Sequence, residues 1–174
     1  MAFDTYLRFD GGSPTIEGEA TAADLTPPTG WFEIFSFSWG ASNPTSVGTH
    51  SGGLSAGKVS VSSFNVMKKT DNASPLLFGA CCSGQHYEKA KVVMRKATGT
   101  SGKQATFLEY DFTDVMIESI QWSGTSGGDD TPTESISIAF AAVKIQYFKQ
   151  DTKKGTVSAG NIGSWDLTKA AASS

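Results

Sequence analysis

Six stretches of this chain read as β-strands, and the clearest of them alternate with a period of two. Phe3, Thr5, Leu7 and Phe9 alternate with Asp4, Tyr6, Arg8 and Asp10. A run of that kind buries one face and leaves the other wet. WFEIFSFSW follows at 31–39, with Trp31, Phe35, Phe37 and Trp39 expected on one face. KVSVSSFNVMKK from Lys58 alternates again and is expected to be one long strand. HYEKAKVVMRKA, FLEYDFTDVMIESIQW and TESISIAFAAVKIQYF complete the set, and IGSWDL near the end allows one more short strand. GTSGK and SGTSGGDDTPT supply turns between them. Strands at this spacing, joined by Gly-rich turns, point to an all-β sandwich or barrel.

Three segments break the pattern. Gly11–Gly30 is a loop by its Gly, Pro and Thr content. Gly40–Gly57 is small and polar, offers nothing to bury, and is long for a connection inside one domain. Around Ser74–Ser83 the spacing predicts the one helix. Ser74 suits an N-cap, Pro75 the first helical position, and Gly84 the C-terminal end. Leu76, Leu77, Phe78, Ala80, Cys81 and Cys82 make it apolar on nearly every side, so it is expected to be buried.

The 174 residues fit one domain, long enough to fold without disulfides or metals. A net charge of -3 with no Lys/Arg-rich block argues against nucleic acid. No apolar run approaches the length of a membrane span, so no membrane insertion is expected. MAFDTYLRFDGG has no basic stretch followed by an apolar one, so no signal peptide is expected. Two adjacent cysteines cannot staple distant segments, which fits a reducing cytoplasm.

Three strings invite a chemical reading. GACCSGQH at 79–86 places Cys81 and Cys82 four residues before His86. Neighbouring helical residues point about 100° apart, which is poor geometry for chelating one ion. Only His50 and His86 could add imidazole, so packing is the favoured reading, and no metal or cofactor is expected. GTSGG at 124–128 differs by one residue from the GDSGG around the nucleophile of chymotrypsin-like proteases. His50 or His86, then Asp111 or Asp114, then Ser126 even follow that family's chain order. The Asp before the serine is missing, and a hairpin turn is the favoured reading. SGGLSAGK at 51–58 lacks the spacing and the following helix of a phosphate-binding loop. The hydrolase alternative therefore rests on Ser126 or on Cys81/Cys82 alone.

Longer strings carry a more specific signal. FSFSWGASNP at 35–44, GKVSVSSFNVMKKTDNASPLLFGACCSGQHYEKAKVVMRKA at 57–97, GGDDTPTESISIAFAAVKIQY at 127–147 and WDL at 165–167 resemble the haemolysin-coregulated protein family, Hcp. This is the inner-tube family of the bacterial type VI secretion system. The resemblance runs nearly end to end; GEATAADLTPPTGW at 18–31 departs from it by its greater length.

The resemblance implies one small closed β-barrel over 1–174, mostly antiparallel, with a short helix at about 74–83, a long projecting loop at about 40–57, and a disordered tail at 168–174. It implies a non-enzymatic subunit of six-membered rings that stack into a tube, are expelled, and carry effectors in the lumen. The expected partners are other copies of the chain, spike and sheath components, and cargo effectors. The expected route runs from the bacterial cytoplasm to the medium or a target cell without a cleaved signal peptide. WDL lies about seven residues from the end, which leaves no room for a C-terminal enzymatic domain. The contact between subunits and rings is assigned to one loop: Ser42, Asn43, Pro44, Thr45, Ser46, Val47, Gly48, Thr49, His50, Ser51, Gly52, Gly53 and Leu54.

Overall fold

A computed structural model describes residues 3–22, 24–47, 53–97, 103–128, 130–151 and 156–172. In chain order the elements are β1 (Asp4–Asp10), β2 (Phe32–Ile34), β3 (Ser36–Ser38), β4 (Ala41–Ser42), β5 (Thr45–Val47), β6 (Leu54–Ala56), β7 (Ser60–Val61) and β8 (Phe64–Lys69). There follow α1 (Ser74–Ser83), β9 (His86–Ala97), β10 (Gln104–Ser123), β11 (Thr133–Gln150) and β12 (Val157–Asp166). The main sheet is antiparallel and runs β2-β1-β9-β10-β11-β8-β3, with β12 also on β11.

Its two ends are one piece of chain. β2 pairs with β1, with Leu7 opposite Phe32 and Thr5 opposite Ile34. β3 pairs with β8, with Phe37 opposite Val66. Between them the Phe35 N–H donates to Met67 O at 3.1 Å. The sheet therefore curls until residues 32–38 close it into a barrel.

Closure changes the expected facing of this strand. Phe32 and Ile34 are buried in the core, Phe35 and Ser36 both face outward, and Phe37 turns back in. Two consecutive outward residues are what a β-bulge produces, and the strand changes partner at that point. Phe35 is 53% exposed, and Trp31 belongs to a separate cluster with Tyr6, Leu25 and Val93. Four aromatic rings on one face is therefore corrected to two, Phe37 and Trp39. The 11–30 loop is no plain connector either. It lies across β1 and β9, presses Leu25 onto Trp31, and accepts the Trp31 indole N–H on Pro27 O at 2.8 Å.

The long strand expected from Lys58 is divided. β7 pairs with β4 outside the barrel, while β8 pairs with β3 and β11 within it. β12 is longer than IGSWDL, because ten residues from Val157 extend the β11 ladder. The tail from 168 was expected to be disordered. Of that tail, 173–174 lie outside the described residues; at 168–172 the chain folds back, with the Asp166 N–H donating to Ala171 O at 2.8 Å. The Asp166 carboxylate accepts from the Thr168 hydroxyl and from the Thr168 and Lys169 N–H groups. Those bonds, led by the Thr168 hydroxyl, hold its carboxyl below the usual carboxylate range.

The helix has the expected bounds and ends at Gly84 in the left-handed conformation (φ 65°). Two expectations about it are corrected. The N-cap is Ala73, and the Ser74 hydroxyl is used elsewhere: it accepts from the Asp71 N–H and donates to Glu134 Oε1, both at 2.9 Å. The helix is also not buried all round. A helix laid on a barrel hides one face, here Leu77 and Ala80, and leaves Leu76 and Phe78 40% and 50% exposed. Phe78 sits 5.8 Å from the exposed ring of Trp122.

Beneath the helix lies a buried ion pair. Lys68 Nζ is 2.5 Å from Glu134 Oε1 and 2.9 Å from Asp71 Oδ1, and both Lys68 and Glu134 are inaccessible to solvent. Lys68 also donates to Lys69 O at 2.8 Å and lies over the Phe32 ring. Removing Lys68 leaves Glu134 an uncompensated buried charge, whereas without Glu134 the lysine keeps Asp71, so Lys68→Ala should lower stability by about 3–5 kcal/mol. The double change Lys68→Met with Glu134→Leu should recover most of that loss. Chemical denaturation of both variants checks this; equal losses would mean that the pair is not the source of the cost.

Candidate functional site

Residues 40–57 were read as a loop with no pattern of its own. The described residues of this projecting segment make an arm with two short antiparallel ladders. The stem is β4 on β7, with Ala41 opposite Val61, clamped by the Ser62 N–H to Gly40 O at 2.9 Å and the Gly40 N–H to Ser62 Oγ at 2.9 Å. The outer ladder is β5 on β6, with Thr45 opposite Ala56, Ser46 opposite Ser55 and Val47 opposite Leu54. Gly57 joins the two, because its N–H donates to Pro44 O at 2.7 Å. The approach needs glycine, since a Cβ there would stand 2.8 Å from that same oxygen.

Alternation sorts the arm into two faces. Thr45, Val47, Leu54 and Ala56 share one; Ser46 and Ser55 share the other, their hydroxyls 2.7 Å apart. Val47 and Leu54 are 77% and 72% exposed. Ser42, Asn43, Pro44, Thr45, Ser46, Val47, Gly53 and Leu54 are thus placed on the arm; Gly48, Thr49, His50, Ser51 and Gly52 lie outside the described residues.

At the arm's root is a feature the sequence did not point to. Trp39, Val61, Val143, Ile145, Gly163 and Trp165 line an open groove of about 270 Å³. Trp39 plugs the barrel end on its other side, with ring centroids 5.3 Å from Tyr110 and 5.8 Å from Phe112. Nothing in the local pattern of β12 marks Gly163 and Trp165 as neighbours of Trp39; only β11 between them brings them together.

The chemical candidates fall apart in space. His86 Nδ1 and Asp114 Oδ1 do meet, at 3.0 Å, and Asp114 takes φ 52° within β10. Both side chains are mostly exposed, and the serine that would complete the set is elsewhere. His86 pairs with Met116, and β10 runs on to Ser123 before the turn that holds Ser126. Seven strand residues put Ser126 roughly 20 Å from the pair. Gly127 in that turn has φ 91°, as a tight turn requires. Asp111 lies 3.4 Å from Lys91 instead. Cys81 is half-buried and Cys82 exposed, both as free thiols. Among the described residues no three His, Cys, Asp or Glu side chains are grouped to hold a metal ion.

The described residues form a closed antiparallel barrel with a strapped-on helix and a projecting arm. The profile described as "Type VI secretion system effector, Hcp" matches residues 6–147. The chain belongs to the Hcp family of type VI secretion tube proteins. It is 38% identical over 93 residues to Protein hcp1 of Pseudomonas aeruginosa, a match that spans 53% of this chain and about half (56%) of that protein's length. A solved type six secretion system protein is 32% identical, with 98% of this chain and 99% of that one covered and a TM-score of 0.85. Hcp1 from Salmonella typhimurium is 28% identical, with 97% of both chains covered and a TM-score of 0.70.

Two outcomes follow for the chemical candidates. Ser126→Ala should change no hydrolytic signal, and wild-type protein should not react with a fluorophosphonate probe; labelling that this change abolishes would restore the hydrolase reading. Cys81→Ala and Cys82→Ala should each cost at most about 1–2 kcal/mol, with the smaller loss at exposed Cys82.

Proposed function

We propose that this chain is a structural rather than catalytic subunit whose six-membered rings stack into an expelled tube that carries effectors in its lumen. The observation that carries the reading is the arm: an outlying ladder with Val47 and Leu54 held in water. A lone hairpin of this size is marginal in solution and needs something to pack on. Copies of the same chain supply that surface if they meet head to tail, and contacts of that kind close into rings or extend into stacks.

A second feature supports a cargo-bearing wall. The outward face of β3, β8 and the start of β11 carries Ser36, Ser38, Asn65, Ser135 and Ser137, with Met67 and the charged Lys69 on the same face of β8. Such a face offers mostly neutral hydrogen-bonding groups to a partner. Spike and sheath components and cargo effectors are the further partners of this reading. Its route is from the bacterial cytoplasm to the medium or a target cell without a cleaved signal peptide. Among the described residues no helix is long and apolar enough to cross a membrane.

Negative-stain images of purified protein test the ring: particles of one uniform diameter are expected, and monomers alone would sink the proposal. Replacing Ser46–Leu54 with a short Gly-Ser linker tests the arm. No core residue is touched, so the melting temperature should stay within a few degrees. Tube formation and export should be lost, because a small loss at one subunit is repeated around each ring. Long tubes and wild-type export from the shortened chain would remove the arm from the stacking contact.

A further inference from the structure

β9, β10 and β11 also present an outward face crowded with charge. A cleft of about 680 Å³ opens there between Lys89 and Lys91 on β9, Asp111 on β10, Lys144 on β11, Asp166 on β12 and Lys169 just beyond it. Register sorts these charges by strand. Lys91, Asp111 and Lys144 stand opposite one another in one row, and Lys89, Thr113 and Ala142 in the next. β9 is therefore a column of ammonium groups, β10 a column of carboxylates (Glu109 and Asp111), and β11 returns to an ammonium at Lys144. Neighbouring columns lie about 4.8 Å apart.

These charges are unequally used. Asp10, at the rim, has Arg8 at 2.7 Å, and Glu109 and Asp111 have Lys91 at 2.6 and 3.4 Å. Asp166 has the Thr168 hydroxyl and the Thr168 and Lys169 N–H groups. Among the described residues Lys89 and Lys144 have no carboxylate within ion-pair distance, and both are exposed. They stand two strands apart and two residues apart along the strands, roughly 12 Å between Cα atoms.

The arrangement selects among anionic partners. A small free anion would meet one flexible ammonium at a time, with carboxylates beside it. A polyphosphate or nucleic-acid backbone would lay negative charge over Glu109 and Asp111 as well as over the lysines. A cation–anion–cation pattern is answered by anion–cation–anion at the same spacing. An α-helix offers that pattern: residues i and i+7 lie about 10.5 Å apart on one face, with i+4 between them. This chain's own helix, 74–83, has no charged residue, so a second copy cannot supply it.

We propose that this face docks a helix of a different protein, one that carries carboxylates at i and i+7 and a basic group at i+4. The helix lies across β9, β10 and β11, its acids on Lys89 and Lys144 and its base over Asp111. The surface is complete in one copy, so the contact goes beyond the tube reading and does not depend on it. Exposed ion pairs are individually weak and screened by salt, so docking is salt-sensitive, and the charge order supplies specificity.

The test uses the full chain and a labelled alanine-rich peptide of about 20 residues, long enough to be helical, with Glu at i and i+7 and Lys at i+4. Fluorescence anisotropy at about 10 mM salt should show binding, weakened at least about tenfold at about 150 mM. A peptide of the same composition with its acids moved to i and i+5, and polyglutamate of equal length, should bind at least about tenfold more weakly. Lys89→Glu with Lys144→Glu should lose the first peptide and gain the charge-swapped one, with Lys at i and i+7 and Glu at i+4. Both lysines are exposed, so the melting temperature should stay within a few degrees. If the reversal misfolds, Lys89→Gln with Lys144→Gln takes its place and should lose the first peptide. Carbodiimide cross-linking should join that peptide to Lys89 and Lys144 ahead of the exposed Lys58 and Lys149. No binding at low salt, equal binding of the controls, or cross-links scattered over all exposed lysines would overturn the proposal. Rings lost in the lysine variants would place Lys89 and Lys144 between copies, which overturns it and leaves the tube reading standing. Specific binding by a chain that forms no rings would do the reverse.

Discussion

Residues 32–38 are hydrogen-bonded on both sides by strands that are otherwise far apart in the sheet, and the rest of the structure follows from that double pairing. One half answers to β1 and the other to β8. Two neighbours with their own registers cannot both be served by a strictly alternating strand, so the chain slips one residue at Phe35–Ser36. The slip sends Phe37 and Trp39 inward, where Trp39 caps the edge-on and tilted rings of Phe64, Tyr110 and Phe112. Gly40 follows at once, so the arm leaves the barrel at the rim that Trp39 seals. Closure of the barrel and placement of the arm are one event.

The far end depends on a polar device. Lys68 on β8 and Glu134 on β11 face each other across a strand pair, and Ser74 ties the helix to the same carboxylate. Burying two charges is favourable only with good geometry and extra hydrogen bonds, and here Asp71, Ser74 and Lys69 provide them. Glu134 Oε2 is left buried without a partner. An apolar pair could stabilise the site as well, but it would not dictate where a nearly uniform apolar helix must sit. The pair sets its position, and the exposed Leu76, Phe78 and Trp122 are the consequence.

The alternating strands, the helix bounds and the resemblance to the Hcp family were all legible in the chain. Periodicity reports which side of a strand is apolar, and Pro75 and Gly84 report where a helix starts and stops. The lack of charge in 40–57 was legible too, though its ladders were not, because Ser, Thr and Gly carry little strand signal. The facing of Trp31 and Phe35 was misread for a definite reason: alternation assumes one partner throughout, and this strand has two.

What the sequence by itself determined is the inventory: an all-β chain, a helix at 74–83 and a polar arm. Tertiary structure decided the rest. It brought His86 to Asp114 yet left Ser126 far along β10, and it showed the helix to be half exposed. It also assembled a groove from Trp39, Ile145, Gly163 and Trp165, residues drawn from three parts of the chain. The reason is register. Contacts within an element depend on spacing along one segment, which a sequence displays. Contacts between elements depend on which residue of one strand stands opposite which residue of another, and closure of the whole barrel sets that.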